Sequence, residues 1–367
     1  MEYNVTKNYT LFGTVVLYDR VVPRGALAVS DGVIKYAGER EGLRGVIGEV
    51  FDFGDALIAP GFVDIHCHAG GVYETHIDPE RASRHHFTHG TTSMLCTIYR
   101  GFTTEQYLEF IERIRRAMPE CGNIKGVHLE GPYLNPRYGA EASESGDRPV
   151  KENYMKLAAT GLIRQWTSAP EVPGVFDFIS DIAGCGIVPA IGHSSASPEE
   201  VSEAVRRGAK IVTHLYDATG CSVDPTSYDG TLEVSFNAAA LLQDGMYYEL
   251  ICDEKEIHVR GDLVRLAAKC VGIDRLIAIT DACPGESDET DVNIVNGELY
   301  GSLLTMDRVA KNISALGIPT EDVFKMTSST PAEAIGLDGV GRLAEGYLAD
   351  VVVLDKDFEV QSIFTSY

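Results

Sequence analysis

The feature that most limits how this chain can fold is a series of eight short apolar segments of strand length. They are Phe62–His66, Ser93–Ile98, Ile124–Leu129, Gln165–Ala169, Ile187–Ile191, Ile211–His214, Tyr248–Cys252 and Leu276–Thr280. Helical stretches such as "TTEQYLEFIERIRRAM" and "GDLVRLAAKCVG" separate most of them. One helix start is explicit: Ser197-Pro198-Glu199-Glu200 supplies an N-cap, a proline at the first helical position and a capping-box glutamate. Eight strand–helix units predict an α/β fold, a (β/α)8 TIM-like barrel spanning 58–341. Only segment 215–246 carries too little signal to place.

The two ends read differently. "YTLFGTVVLYD", "GALAVSDGVIKYAGE" and "VIGEVFDFG" near the start, and "GYLADVVVLDKDFEVQSIF" near the finish, are β-rich runs broken by turn residues. Turns are expected at Asp31-Gly32 and at Asp355-Lys356-Asp357. Residues 1–57 and 342–367 are therefore expected to pair into one small β-sandwich domain.

Charge narrows the partners. With 54 acidic against 31 basic residues the net charge is −23, which opposes phosphate backbones and anionic lipid. The expectation is a small-molecule substrate, with no nucleic acid and no membrane. The eight cysteines form no C-x-x-C pair, and several sit in apolar runs, as buried thiols do in a reducing compartment. The start "MEYNVTKNYT" lacks the basic-then-apolar pattern of a signal peptide. A cytoplasmic location is expected.

In a barrel of this type, reactive groups gather at the C-terminal ends of the strands. Here those ends carry His66 and His68, Glu130, His193, His214 and Asp281. Taken singly, each has an ordinary explanation: a hydrogen-bonded core histidine, a turn carboxylate, a helix cap. Taken together, imidazole and carboxylate at strand ends of one barrel are what a divalent zinc, iron or manganese ion needs in an open catalytic site. Other features carry less. His85 and His89 suit a helix C-terminus, His76 lies in a loop that nothing fixes, and Ser194-Ser195 lacks the G-x-S-x-G surround of a nucleophile. No phosphate-cradling or dinucleotide fingerprint is present.

The segments "LIAPGFVDIHCHAGG", "GVHLEGPYLNP", "IGHSSA", "THLYDAT", "ELICDEKEIHV", "ITDACP", "GSLLTMD", "TPAEAIGL" and "AEGYLADVVVLD" resemble the amidohydrolase superfamily. Within it they are similar to the N-acetylglucosamine-6-phosphate deacetylase family, in family order over nearly the whole chain. The resemblance implies a metal-bearing barrel with a small terminal sandwich, as a homodimer. It implies that Glu130, His193 and His214 are the main metal ligands, and that His66 and His68 serve a second ion. Asp281 is then the catalytic aspartate and His258 a substrate contact, while Asp217 and Ala218 belong to the sugar-holding loop. The implied cofactor is one or two divalent ions, with zinc expected before iron or manganese. The implied reaction is hydrolysis of the acetamido group of an N-acetyl amino sugar to acetate and the amine.

Three departures bear on the substrate. Asp217 stands where the family has Asn, and a carboxylate cannot donate as an amide does. Glu141, near the scissile group, stands where the family has His or Gln. The stretch "TGCSVDPTSYDGTLEVSFN", which in the family carries a phosphate-pairing arginine, has none, and no Lys or Arg occurs in 217–250. Phosphate is normally held by Arg or Lys, so Arg137, Arg148 or Arg260 would have to serve. Otherwise the substrate is a different, non-phosphorylated N-acyl compound. A non-catalytic binding barrel predicts loss of a ligand or of Asp281, and neither is lost.

Overall fold

The computed structural model describes residues 2–4, 7–140, 146–223, 228–286 and 290–367. Among these, eight parallel strands form the central sheet: Phe62–Asp64, Thr91–Ile98, Ile124–Glu130, Ile163–Ser168, Val188–Ile191, Ile211–Val212, Tyr247–Ile251 and Leu276–Ile279. Numbered one to eight, each pairs with its successor in the chain. They fall on the eight expected segments, with ends displaced by a residue or two. Such strands are buried on both faces, by helices outside and by packed side chains inside. Strand two is buried at all eight positions.

Strands one and eight share no ladder, and a side chain closes the gap. Asp64 Oδ2 accepts from Thr280 Oγ1 at 2.6 Å, and its Oδ1 accepts from the Thr280 backbone at 3.4 Å. One step higher, Asp281 N donates to the His66 carbonyl at 2.9 Å. Burial pushes the Asp64 carboxyl up to about 6.

The helices form where capping and amphipathic spacing place them. Helix Thr104–Ala117 opens with a Thr103–Gln106 capping box, and helix Pro198–Arg207 with the Ser197–Glu200 box anticipated above. Between strands six and seven, the short helix Phe236–Leu241 is capped by Ser235. No helix among the described residues is long and apolar enough to cross a membrane.

Both chain ends join one seven-stranded mixed sheet with its own core, built on Tyr9, Leu27, Ile58, Val353 and Phe364. Its long strand Glu49–Pro60 pairs in parallel with Tyr9–Val16, and through Leu57–Pro60 antiparallel with Val351–Leu354. The hairpin at Asp31-Gly32 has φ of +52° and +73°, the paired left-handed residues that a two-residue β-turn demands. The same long strand runs into barrel strand one through Gly61, where a side chain would collide with Thr92. Sheet and barrel therefore meet backbone to side chain at that glycine.

Two histidines outside the strand ends are buried as neutral rings. His76 packs among Tyr99, Phe102 and Phe110, with ring centroids 4.7–5.4 Å away. His86 Nε2 donates to the Ala69 carbonyl at 2.7 Å. Burial lowers His76 to about 4 and His86 to about 3. The unfolded chain, with imidazoles near 6.5, binds more protons below that pH. Stability therefore falls as pH falls from about 6.5 toward 4, each ring contributing on the order of 1.4 kcal/mol for every pH step of one. Melting temperatures measured across that window should drop, and His76→Phe should flatten the slope.

Candidate active site at the barrel mouth

The residues that leave the strands at their C-terminal ends converge on one point. Glu130 ends strand three and lies at the centre. Its Oε1 is 2.9 Å from His193 Nε2, 3.0 Å from His214 Nε2 and 3.3 Å from His66 Nε2, while its Oε2 is 3.1 Å from His68 Nε2. Asp281 Oδ1 faces His66 and His68 at 3.3 and 3.2 Å. All six side chains expected at the strand ends are therefore brought together. Strand one was expected to reach His66. It ends at Asp64 instead, and the segment after it brings the Nε2 atoms of His66 and His68 within 3.3 Å.

The backbone is forced at these turns. His193, His214 and Asp281 have φ of +47°, +28° and +47°, in the left-handed region that non-glycine residues avoid. Such conformations cost on the order of 1–3 kcal/mol each and concentrate at functional sites. Here they swing each side chain from the strand axis into the mouth.

Electrostatics hold the cluster together. Burial would raise the Glu130 carboxyl, but His66 and His193 outweigh it and hold the group well below the carboxylate range. Burial likewise opposes charge on His214, yet its bond to Glu130 lifts it to about 9. Asp281 is held low, against burial, by His66 and His68.

The donor set suits a divalent cation. His193 Nδ1 faces the Tyr138 carbonyl at 3.1 Å, His214 Nδ1 the Asp217 carbonyl at 3.2 Å, and His66 Nδ1 the Glu249 carboxylate at 3.1 Å. These acceptors keep the protons on Nδ1 and aim the Nε2 lone pairs inward. The Nε2 atoms of His193 and His214 are only 3.0 Å apart, an arrangement that two lone pairs oppose and a shared cation satisfies. One trio of donors is Glu130, His193 and His214, and a second is His66, His68 and Glu130.

A cleft of about 890 Å3, counting space open to solvent, lies above this cluster and is of small-molecule size. Asp217 and Ala218 line it, on a loop where Tyr216 and Ala218 also have positive φ. His258 stands behind the wall: its Nδ1 meets Asp253 Oδ2 at 3.0 Å and its Nε2 meets the carbonyl of Gly301, which does line the cleft. Glu141 lies outside the described residues. Arg137, Arg148 and Arg260 are not at the cleft, and Arg260 pairs with Glu256 on the outside. Among the described lining residues the Lys or Arg present is Arg100, whose Nη2 donates to the Ala140 carbonyl at 2.9 Å. It stands two residues past the end of strand two, as His193 and His214 stand past theirs, so the strand-end rule also points to it.

Glu249 carries the least sequence signal of the site residues, because it sits inside an apolar strand. It is fully buried, accepts from His66 Nδ1 and from Gln165 Nε2 at 2.7 Å, and lies 3.4 Å from the His214 amide. Beside it His128 bonds Thr97 and Thr167 and packs edge-on to His66 with centroids 4.4 Å apart. This polar layer fixes His66 from below.

Comparison with known proteins gives the family and the fold. Residues 57–366 match the amidohydrolase family model. An N-acetylglucosamine-6-phosphate deacetylase of Lysinibacillus sphaericus is 32% identical over 333 residues, covering 82% of each chain. An N-acetylgalactosamine-6-phosphate deacetylase of Shewanella sp. is 27% identical over 92% of this chain and 90% of its own. A mutant N-acetyl-D-glucosamine-6-phosphate deacetylase of Mycobacterium smegmatis, solved in complex with N-acetyl-D-glucosamine-6-phosphate, superposes with a TM-score of 0.86 at 26% identity, covering 98% of both chains.

Replacing Glu249 by Gln keeps the volume but sets an amide donor against Gln165 and weakens the acceptor for His66. The variant should lose about 1–3 kcal/mol of stability in denaturant titration. Its affinity for divalent ions, measured by calorimetry, should fall about 10–100-fold.

Proposed function

The chain belongs to the amidohydrolase family, and from that premise we propose that it removes the acetyl group of an N-acetyl amino sugar 6-phosphate, releasing acetate and the amine. The observation that carries this reading is the convergence of four imidazole nitrogens and two carboxylates beneath a small-molecule cleft at the barrel mouth. The relatives named for N-acetylglucosamine 6-phosphate supply the substrate, and the glucosamine form is our reading of it. We divide the chain into a catalytic barrel over 58–341 and a sheet domain of 1–57 with 342–367, the strand Glu49–Pro60 carrying the sheet three residues past that boundary.

Glu130, His193 and His214 would hold one divalent ion, and His66 and His68, together with Glu130, would hold a second; zinc is the ion we assign, ahead of iron or manganese. Such an ion would supply Lewis acidity, lowering the pKa of a water and polarising the amide carbonyl. Asp281 takes a proton from the attacking water and later gives it to the departing amine nitrogen, acting as base and then as acid. Its low-lying carboxyl, held by His66 and His68, keeps it ready to accept that proton at neutral pH. His258, fixed between Asp253 and Gly301, braces the cleft wall and, from there, the sugar. Asp217 and Ala218 line the sugar side, and Glu141 is assigned next to the scissile group on sequence grounds.

Arg100 is the group we assign to the phosphate. A second reading, an amidohydrolase for a non-phosphorylated N-acyl compound, is favoured by the carboxylates Glu74 and Asp217 on the same wall. The free state of the described cysteines fits a cytoplasmic protein, and the homodimer is assigned by resemblance to the family.

Acetate release should be followed in parallel from N-acetylglucosamine 6-phosphate, its galactosamine epimer and the unphosphorylated sugar. Turnover confined to the phosphates is expected, and turnover of the unphosphorylated sugar alone would favour the second reading. Arg100→Ala should raise KM for the phosphate about 10–100-fold, the weight of a charge-assisted hydrogen bond of roughly 1.5–3 kcal/mol. Asp281→Asn should lower kcat by about 10²–10⁴, and chelation should abolish activity that added zinc restores.

A further inference from the structure

Cys283 stands two residues beyond Asp281, and the proposed reaction makes no use of it. One donor atom each from His68, Asp281 and Cys283 lie within 4.8 Å of one another. His68 Nε2 and Asp281 Oδ1 are already 3.2 Å apart. In a tetrahedral zinc site with bonds of about 2.0–2.3 Å, donor atoms stand roughly 3.5 Å from each other. Small side-chain shifts would close this trio on one ion.

The place of the sulfur is built into the fold. Cys283 N donates to Ser302 O and Ser302 N donates to Asp281 O, both at 2.9 Å. The hairpin of Val292–Val295 and Glu298–Ser302 thus grips both residues in register. Gly301, at φ +55°, faces the thiol, and a Cβ there would lie 2.7 Å from Cys283 Sγ. A glycine leaves room for the sulfur where any side chain would displace it. Cys283 lines the cleft, while Cys67, Cys96 and Cys252 are buried and Cys185 and Cys270 are exposed elsewhere. His68 is itself buried, and its Nδ1 has no hydrogen-bond partner, so its ring is not committed to one orientation by an outer acceptor as His66, His193 and His214 are.

We propose that Cys283 is a thiolate ligand to the second ion, the one assigned above to His66, His68 and Glu130, and that it reaches that ion beside His68 and Asp281, an inference that rests on the reading of the mouth as a metal centre. On binding, the thiol releases its proton to solvent and a sulfur lone pair forms the bond to the ion. A soft sulfur donor beside imidazole and carboxylate favours zinc over magnesium or calcium at that position.

The full chain, freed of metal and reloaded with cobalt(II) or zinc(II), tests this. Expected are a near-ultraviolet sulfur-to-cobalt charge-transfer band and, by X-ray absorption, a zinc–sulfur distance of about 2.3 Å. Both should vanish in Cys283→Ser, with affinity for one ion reduced at least about 10-fold. A second measurement needs no variant: zinc should slow alkylation of Cys283 by iodoacetamide, mapped by mass spectrometry, by at least about 10-fold, because a coordinated thiolate is not a free nucleophile. Ions bound through nitrogen and oxygen alone, with the thiol unprotected, would overturn the ligand assignment and leave the metal centre standing. Failure to bind either ion would overturn both.

Discussion

The carboxylate of Glu130 is the contact on which the mouth of this barrel is organised. One oxygen meets His193, His214 and His66, and the other meets His68, so a single buried side chain ties together residues from strands one, three, five and six. A buried carboxylate in that position is tolerable only because cationic charge surrounds it, whether carried by protons on the rings or by a metal. The same demand explains why the cluster is self-consistent: removing any member leaves the others with uncompensated charge in a low-dielectric pocket.

Beneath that cluster the barrel interior is polar where barrels of this kind are usually filled by aliphatic layers. Asp64 closes strand eight against strand one through Thr280, Glu249 orients His66, and His128 is held between two threonines. The helices and outer faces carry the apolar burial, with Trp166 and Phe178 among the largest fully enclosed side chains. Stability and chemistry are thus separated by layer. The outer shell supplies the hydrophobic driving force, and the inner column sets tautomers and charges.

The cleft above has a different character. Its loops hold positive φ at His214, Tyr216 and Ala218, and its wall includes Glu74, Asp217 and Arg100. Loops at the C-terminal face can vary without disturbing the strands below them. The groups facing the substrate can therefore change while the cluster below them stays as it is.

The eight strands, several helix starts and the two β-rich ends were legible in the sequence because each rests on local physics: apolar runs of strand length, capping boxes, turn residues with a required φ. The strand-end position of His66, His68, Glu130, His193, His214 and Asp281 was legible for the same reason, since a barrel sends those residues to one face. Arg100 obeys that rule too, yet nothing in its local sequence sets it apart from Arg137, Arg148 and Arg260 as a cleft residue. Three things were decided only by the tertiary structure. Glu249 lies inside an apolar run, and nothing local distinguishes a core carboxylate from a misplaced one until His66 and Gln165 are seen bonded to it. His258 and Gly301 are 43 residues apart, and their hydrogen bond sets that ring behind the cleft wall. The sulfur of Cys283 faces His68 and Asp281 because a hairpin from later in the chain folds over it with a glycine at the point of contact. Sequence determines which residues reach the mouth; distances of a few ångströms between non-local side chains decide what each can hold, because hydrogen bonding and metal ligation depend on geometry that no local pattern encodes.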